Sequence, residues 1–118
     1  VEFEEEEEEV NEQEVFFVVE DMPTFQGQSS DAFRIYIQQN LKYPIIAQEN
    51  GISGRVFVQF DVNGRGEVTN AVVVRGVDPS LDKEALRVVK SSPQWTPGKQ
   101  RGRPVRVRFT FPIVFQLQ

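Results

Sequence analysis

The chain is 118 residues long, with 39% apolar side chains, 26% charged ones and a formal net charge of −5. That is the size and balance of one globular domain. It contains no cysteine and no histidine. This excludes disulfides, thiol nucleophiles, Cys/His zinc sites, histidine general bases and the serine–histidine–aspartate triad.

The net charge conceals two objects. Residues 1–21 carry eleven acidic side chains and no basic one, so this segment is −11. The remainder holds seven acids and thirteen Lys and Arg, so it is +6. No run of about 18 apolar residues is present, so no helical membrane span is expected, and no signal peptide is recognisable. The chain begins at Val1 rather than Met, so a processed form or a piece of a longer protein is expected.

Glu4 to Glu9 are six consecutive glutamates, a self-repelling block with nothing to bury. Residues 1–14 are therefore expected to be a disordered acidic linker, and 15–118 the folded domain. Val15 to Val19 is a short β-branched and aromatic run that predicts an extra N-terminal strand. Met22-Pro23 and Phe25-Gln26-Gly27 break it. Ser30 is an expected N-cap, with Phe33, Ile37 and Leu41 on one helical face. Pro44 ends that helix and suits the first position of a short second one, closed by Asn50-Gly51.

Residues 53–62 alternate, with Val56, Val58, Phe60 and Val62 on one face and Arg55, Phe57, Gln59 and Asp61 on the other. Asn63-Gly64-Arg65-Gly66 is turn chemistry, so 67–75 completes a hairpin. Asp78-Pro79 is an N-cap and N1 pair opening an amphipathic helix through Leu81, Ala85, Val88 and Val89. Trp95 then sits in a loop or short extended piece before Pro97-Gly98. Val105, Val107, Phe109, Phe111 and Ile113 alternate along a last strand, 103–113. The predicted fold is α+β: a three-stranded antiparallel sheet in the order 67–75, 53–62, 103–113, helices on one face, plus the N-terminal strand.

Pro104 and Pro112 constrain the last strand, because proline lacks the ladder's N–H and belongs at an edge. Backbone groups of neighbouring residues point to alternate sides. With both prolines outward, the even residues Arg106, Arg108 and Thr110 also point their backbone groups outward. This leaves a free edge of about seven residues, able to accept another strand. Guarding against aggregation is the competing reading of the same residues. Lys99, Arg101, Arg103, Arg106 and Arg108 raise nucleic-acid binding, which the acidic tail and the absence of interleaved aromatics disfavour. Phe57 fits either a partner contact or a place under the N-terminal strand. Trp95 reads as a core plug rather than a ligand platform. Gly64-Arg65-Gly66 opens no helix, so it is no phosphate cradle. Asp61, Asp78, Asp82 and Glu84 sit at strand ends, caps or helix faces and form no catalytic pair. No enzyme, cofactor, metal or small-molecule substrate is expected.

Several of these residues form a set. Tyr43-Pro44 and Ala47 are followed by Gly54, Val56, Val58, Phe60 and Val62, then Gly64 or Gly66, Val68, Ala85, Trp95, Pro97, Gly98, Val105, Val107 and Phe109. Over about residues 43–115 this resembles the TonB C-terminal domain family of Gram-negative envelopes. Val18 to Gly27 is similar to an extension of its Bacteroidetes-type members. The resemblance implies a periplasmic domain anchored in the inner membrane by an N-terminal helix outside this chain. It implies coupling of the proton-motive force, through an inner-membrane proton-channel complex, to outer-membrane receptors for siderophores, cobalamin or glycans. It also implies that the receptor's TonB box is gripped by strand addition at the last strand. Asn40 stands where the family has a Gln near the box. The candidate partner-binding residues are thus Asn40, Arg106, Arg108, Phe109 and Thr110, with Tyr43, Pro44, Gly54, Trp95, Pro97 and Gly98 as structural motif. A sensory or regulatory periplasmic domain on the same fold is the alternative. Nucleic acid is not an expected partner.

Overall fold

The computed structural model describes residues 14–117. The acidic block Glu4 to Glu9, and with it the expected linker apart from Glu14, lies outside the described residues. The elements in chain order are β1 (Val15–Phe16), α1 (Asp31–Asn40), α2 (Ile45–Glu49), β2 (Gly54–Val62), β3 (Val68–Arg75), α3 (Pro79–Lys90), β4 (Gly98–Gln100) and β5 (Arg103–Phe115).

The hairpin forms where the alternation placed it. Its turn is held by Asn63, whose side-chain Oδ1 accepts from the N–H groups of Arg65 and Glu67, both at 2.9 Å. Gly66 has φ +83°, and a Cβ there would lie 1.9 Å from the Trp95 carbonyl oxygen. No other residue fits that approach. The following helix starts as its sequence requires. Asp78 accepts from the Ser80 N–H at 3.0 Å, and Pro79 takes the first helical position. Two expected caps differ in detail. Ser30 precedes α1 but makes no side-chain cap bond. Pro44 is the extended N-cap of α2 rather than its first residue. Asn50-Gly51 closes α2 as expected, with Gly51 at φ +65°.

The sheet order is β1-β5-β2-β3. β2 is central and antiparallel to both neighbours, so the expected three-stranded order is observed. Phe33 and Ile37 of α1 and Leu81, Ala85, Val88 and Val89 of α3 cover one face. They pack on Val56, Val58, Phe60, Val62, Phe111, Ile113 and Phe115. Phe25 belongs to this core as well. The turn that follows it, Gln26-Gly27 with both φ positive, folds it back onto Phe33, Tyr36 and Trp95.

Two features depart from expectation. The N-terminal strand is two residues long rather than five, because the chain bends at Phe17 and Val18. It pairs in parallel with the outer edge of β5. Lys99 and its neighbours form a further short strand, β4, paired antiparallel with Arg103–Val105. Its hairpin turn is Arg101-Gly102, with φ +54° and +76°, the positive pair that a type I′ turn requires. Gly98 is enclosed: a Cβ there would meet Pro23 and Val107 at 2.9 Å.

Candidate functional site

β5 is the element on which the candidate site turns. It pairs with β2 without interruption from Gly54↔Phe115 to Val62↔Val107, nine residue pairs with no register shift. On its other side, among the described residues, only β1 adds to the sheet, opposite Arg106 and Val107. The stretch from Arg108 to Phe115 therefore has a strand on one side only, among the described residues. Pro112 lies in it, opposite Phe57. Its missing N–H is accommodated where even residues face away from β2.

The side chains along β5 divide between the two faces. Phe109 lies on the helix side, half-buried, with its ring 5.7 Å from Phe60 and 5.5 Å from Trp95. Thr110 is exposed. Arg106 and Arg108 lie on the opposite face and do not project freely. They reach across to Asp61 on β2, a fully buried carboxylate. Arg108 Nε donates to Asp61 Oδ1 at 2.7 Å, and Arg108 Nη2 and Arg106 Nη1 donate to Oδ2 at 3.2 Å each. Asn70 donates to the same oxygen at 3.1 Å, and Arg106 Nη1 also donates to Thr69 Oγ1 at 3.0 Å. Among the described residues, no buried side-chain nitrogen or oxygen lacks a hydrogen-bond partner. Asp61 lies at the end of β2 as expected, and it is also the hub that ties β3, β2 and β5 together on the face away from the helices.

Burial alone would push the Asp61 carboxyl up. Hydrogen bonds from Arg108, Asn70 and Arg106 more than offset this and hold it below its ordinary range. A carboxyl depressed by folding stabilises the fold fully above its unfolded value of about 4, and that contribution is lost as pH falls through the lower folded value. We expect thermal unfolding scans to show a lower midpoint at about pH 3 than at about pH 5. Asp61→Asn should shrink that difference and cost roughly 1–3 kcal/mol at neutral pH. Part of the acid sensitivity should remain. Burial would raise Glu84 too, and hydrogen bonds from the Arg87 side chain and the Lys42 backbone lower it overall.

The other expected site residues are placed as follows. Asn40 is at the end of α1. Its amide donates to Tyr36 O at 2.8 Å, and its own carbonyl accepts from Arg87 Nη2 of α3 at 3.0 Å. Its hydrogen bonds join the two helices and do not reach β5. Tyr43 donates its hydroxyl to Ile52 O and sets its ring edge-on to Phe115, 5.6 Å away. The Tyr43-Pro44 corner thus fastens the entry to β2 onto the end of β5. Phe57 is neither under β1 nor isolated: Arg75 of β3 lies over its ring at 5.9 Å. The residue that sequence reasoning missed is Asp61. Its signal was available, since aligning β2 with β5 sets Asp61 opposite Arg108.

Among the described residues, no group of His, Cys, Asp or Glu could hold a metal ion. The fold defines a class: a small α+β domain with a last strand paired without interruption to the centre of the sheet, one-sided over its second half, and helices packed behind the sheet. The family model for the Gram-negative bacterial TonB protein C-terminal matches residues 39–117, more than half of the chain. The chain belongs to that family, which is not one of enzymes. It is 32% identical over 83 residues to the curated Protein TonB of two Helicobacter pylori strains, ATCC 700392 / 26695 and J99 / ATCC 700824. That match covers 70% of this chain but 28% of each relative, so the chain spans under a third of their length. Two solution structures of the H. pylori TonB C-terminal domain are similar, each at 29% identity, with TM-scores of 0.59 and 0.60. They cover 75% and 79% of this chain, and 92% and 87% of their own.

Proposed function

We propose that this chain is the periplasmic receptor-binding domain of a TonB-type energy transducer. It takes the TonB box of an outer-membrane TonB-dependent receptor as an added parallel strand on β5 between Pro104 and Pro112, past the outward backbone groups of Arg106, Arg108 and Thr110. An N-terminal inner-membrane anchor and its proton-channel complex supply mechanical work from the proton-motive force. That work drives uptake of siderophores, cobalamin or glycans.

The observation that carries this reading is the unbroken pairing of β5 with β2, set beside the one-sided run from Arg108 onward. The opposite sheet edge is a poorer template. β3 has register shifts at two places against β2, and Asn70 within it has φ +53°. Such bulges kink a strand and blunt it against pairing. Because Arg106 and Arg108 are committed to Asp61, main-chain bonds rather than free cations should supply most of the affinity. Titration calorimetry of the chain with a synthetic TonB-box peptide tests this against a scrambled peptide of the same composition. The ordered sequence should bind and the scrambled one should not. Equal binding of both would mean a charge effect without strand recognition.

A further inference from the structure

We propose that β1 is a built-in competitor for the strand-docking edge of β5, which a receptor strand must displace. This rests on the reading of β5 as that edge.

β1 runs parallel to β5 and sits opposite Arg106 and Val107, inside the interval bounded by Pro104 and Pro112. That is the orientation expected of the incoming strand, and the same outward backbone groups are engaged. Glu12-Gln13-Glu14 followed by Val15-Phe16-Phe17-Val18-Val19 is itself an acidic-to-apolar segment. Val15 to Val19 is a β-branched and aromatic run of the kind that adds to a sheet edge, so the chain carries a strand for this edge at its own N-terminal side.

β1 is attached more weakly than the segment that follows it. β1 contributes two residues, and only Phe16 of them packs on the small cluster of Val19, Val105 and Val107. The chain then leaves the edge, with Phe17 66% and Val18 81% exposed. Beyond this bend it is held firmly. Glu20 N–H donates to Gln100 Oε1 at 3.0 Å, and its carboxylate accepts from Arg101 N–H at 2.6 Å. Asp21 and Lys99 exchange backbone bonds at 3.0 and 2.8 Å, and Thr24 and Thr96 do so at 3.1 and 2.9 Å. β1 can therefore release while residues 19–24 stay fastened to β4, with Phe17-Val18 as the hinge. A competitor that occupies the edge most of the time raises the apparent Kd by the reciprocal of the free fraction.

The test uses the full chain, which has no cysteine of its own. Val15→Cys with Arg106→Cys places a pair on facing positions, so oxidation locks β1 down and reduction frees it. The reduced form is the folding control for the oxidised one. Calorimetry with a synthetic TonB-box peptide should show binding at least about tenfold weaker when oxidised than when reduced. Phe16→Pro, which disrupts β1 and leaves the sequence of β5 unchanged, should bind the peptide several-fold tighter than the parent chain. Equal affinities in the oxidised and reduced forms, or in Phe16→Pro and its parent, overturn the competitor. If only Phe16→Pro binds, β1 is a complete block and the inference holds. If neither Phe16→Pro nor the parent binds, the docking reading fails and the competitor falls with it.

Discussion

Replacing Trp95 with Ala is expected to destabilise the fold by about 3–5 kcal/mol, the usual cost of emptying the site of a large buried aromatic. The side chain is 2% exposed and sits among four phenylalanines. Ring centroids of Phe25, Phe33, Phe60 and Phe109 lie 5.3, 5.0, 6.1 and 5.5 Å from it. Its indole N–H donates to Ser92 Oγ at 3.0 Å, and its backbone N–H donates to Gly66 O at 2.8 Å. Truncation removes the packing of all four rings at once and leaves a hole that β2, α1 and the Phe25 turn cannot all close. For a domain of this size the melting temperature should fall by on the order of 15 °C or more. Trp95 is the chain's one tryptophan, so unfolding has to be followed by circular dichroism rather than indole fluorescence. An almost unchanged melt would show that the residue is not the plug its surroundings indicate.

Thr110→Pro is expected to weaken TonB-box binding by at least about tenfold, the equivalent of one lost main-chain hydrogen bond, with added obstruction from the ring. Thr110 pairs with Gln59 and lies two residues from Pro112, so its N–H shares the outward direction of a position that already tolerates proline. The inward ladder from Phe109 and Phe111 to β2 is kept. A proline also biases the preceding residue toward extended backbone, which is what Phe109 adopts in the strand. The fold should therefore lose little while the docking edge loses a donor. Thr110→Ala is the matched control: it removes the hydroxyl, keeps the N–H and should bind within about twofold of the parent. Calorimetry on both variants, with melts in parallel, separates lost binding from lost structure.

The parts of the fold that could be read in advance are those where periodicity and special residues agree. The alternation of Val56, Val58, Phe60 and Val62, the turn at Asn63 and the cap at Asp78-Pro79 each carry a local mechanism that tertiary contacts do not override. Pro104 and Pro112 identified the outer side of β5 by their missing donors alone. Shorter elements escaped. β4 is three residues long, too few for alternation to register. It exists because Arg101-Gly102 folds it back and residues 21–24 cover its other side. The apolar run Val15 to Val19 suggested five strand residues. Only two are held, since the bend at Phe17-Val18 turns the chain to bury Val19.

Within the candidate site the backbone was legible and the side chains were not. Arg106 and Arg108 looked like free cations, because their partner is contributed by another strand through a pairing that composition does not reveal. Asn40 is occupied by local bonds that only the packing of α1 on α3 explains. The consequence for function is specific. Affinity at this edge should be governed by main-chain geometry and by what already lies on it, and only weakly by the arginine charges.

An amide chemical-shift titration of the isotope-labelled chain with a TonB-box peptide reports directly on strand addition to β5. The largest changes should fall on Arg108, Phe109, Thr110 and Phe111, joined by Val15 and Phe16 as β1 is displaced. Changes confined to the β3 edge, Val68 to Arg75, with β5 silent, would contradict it.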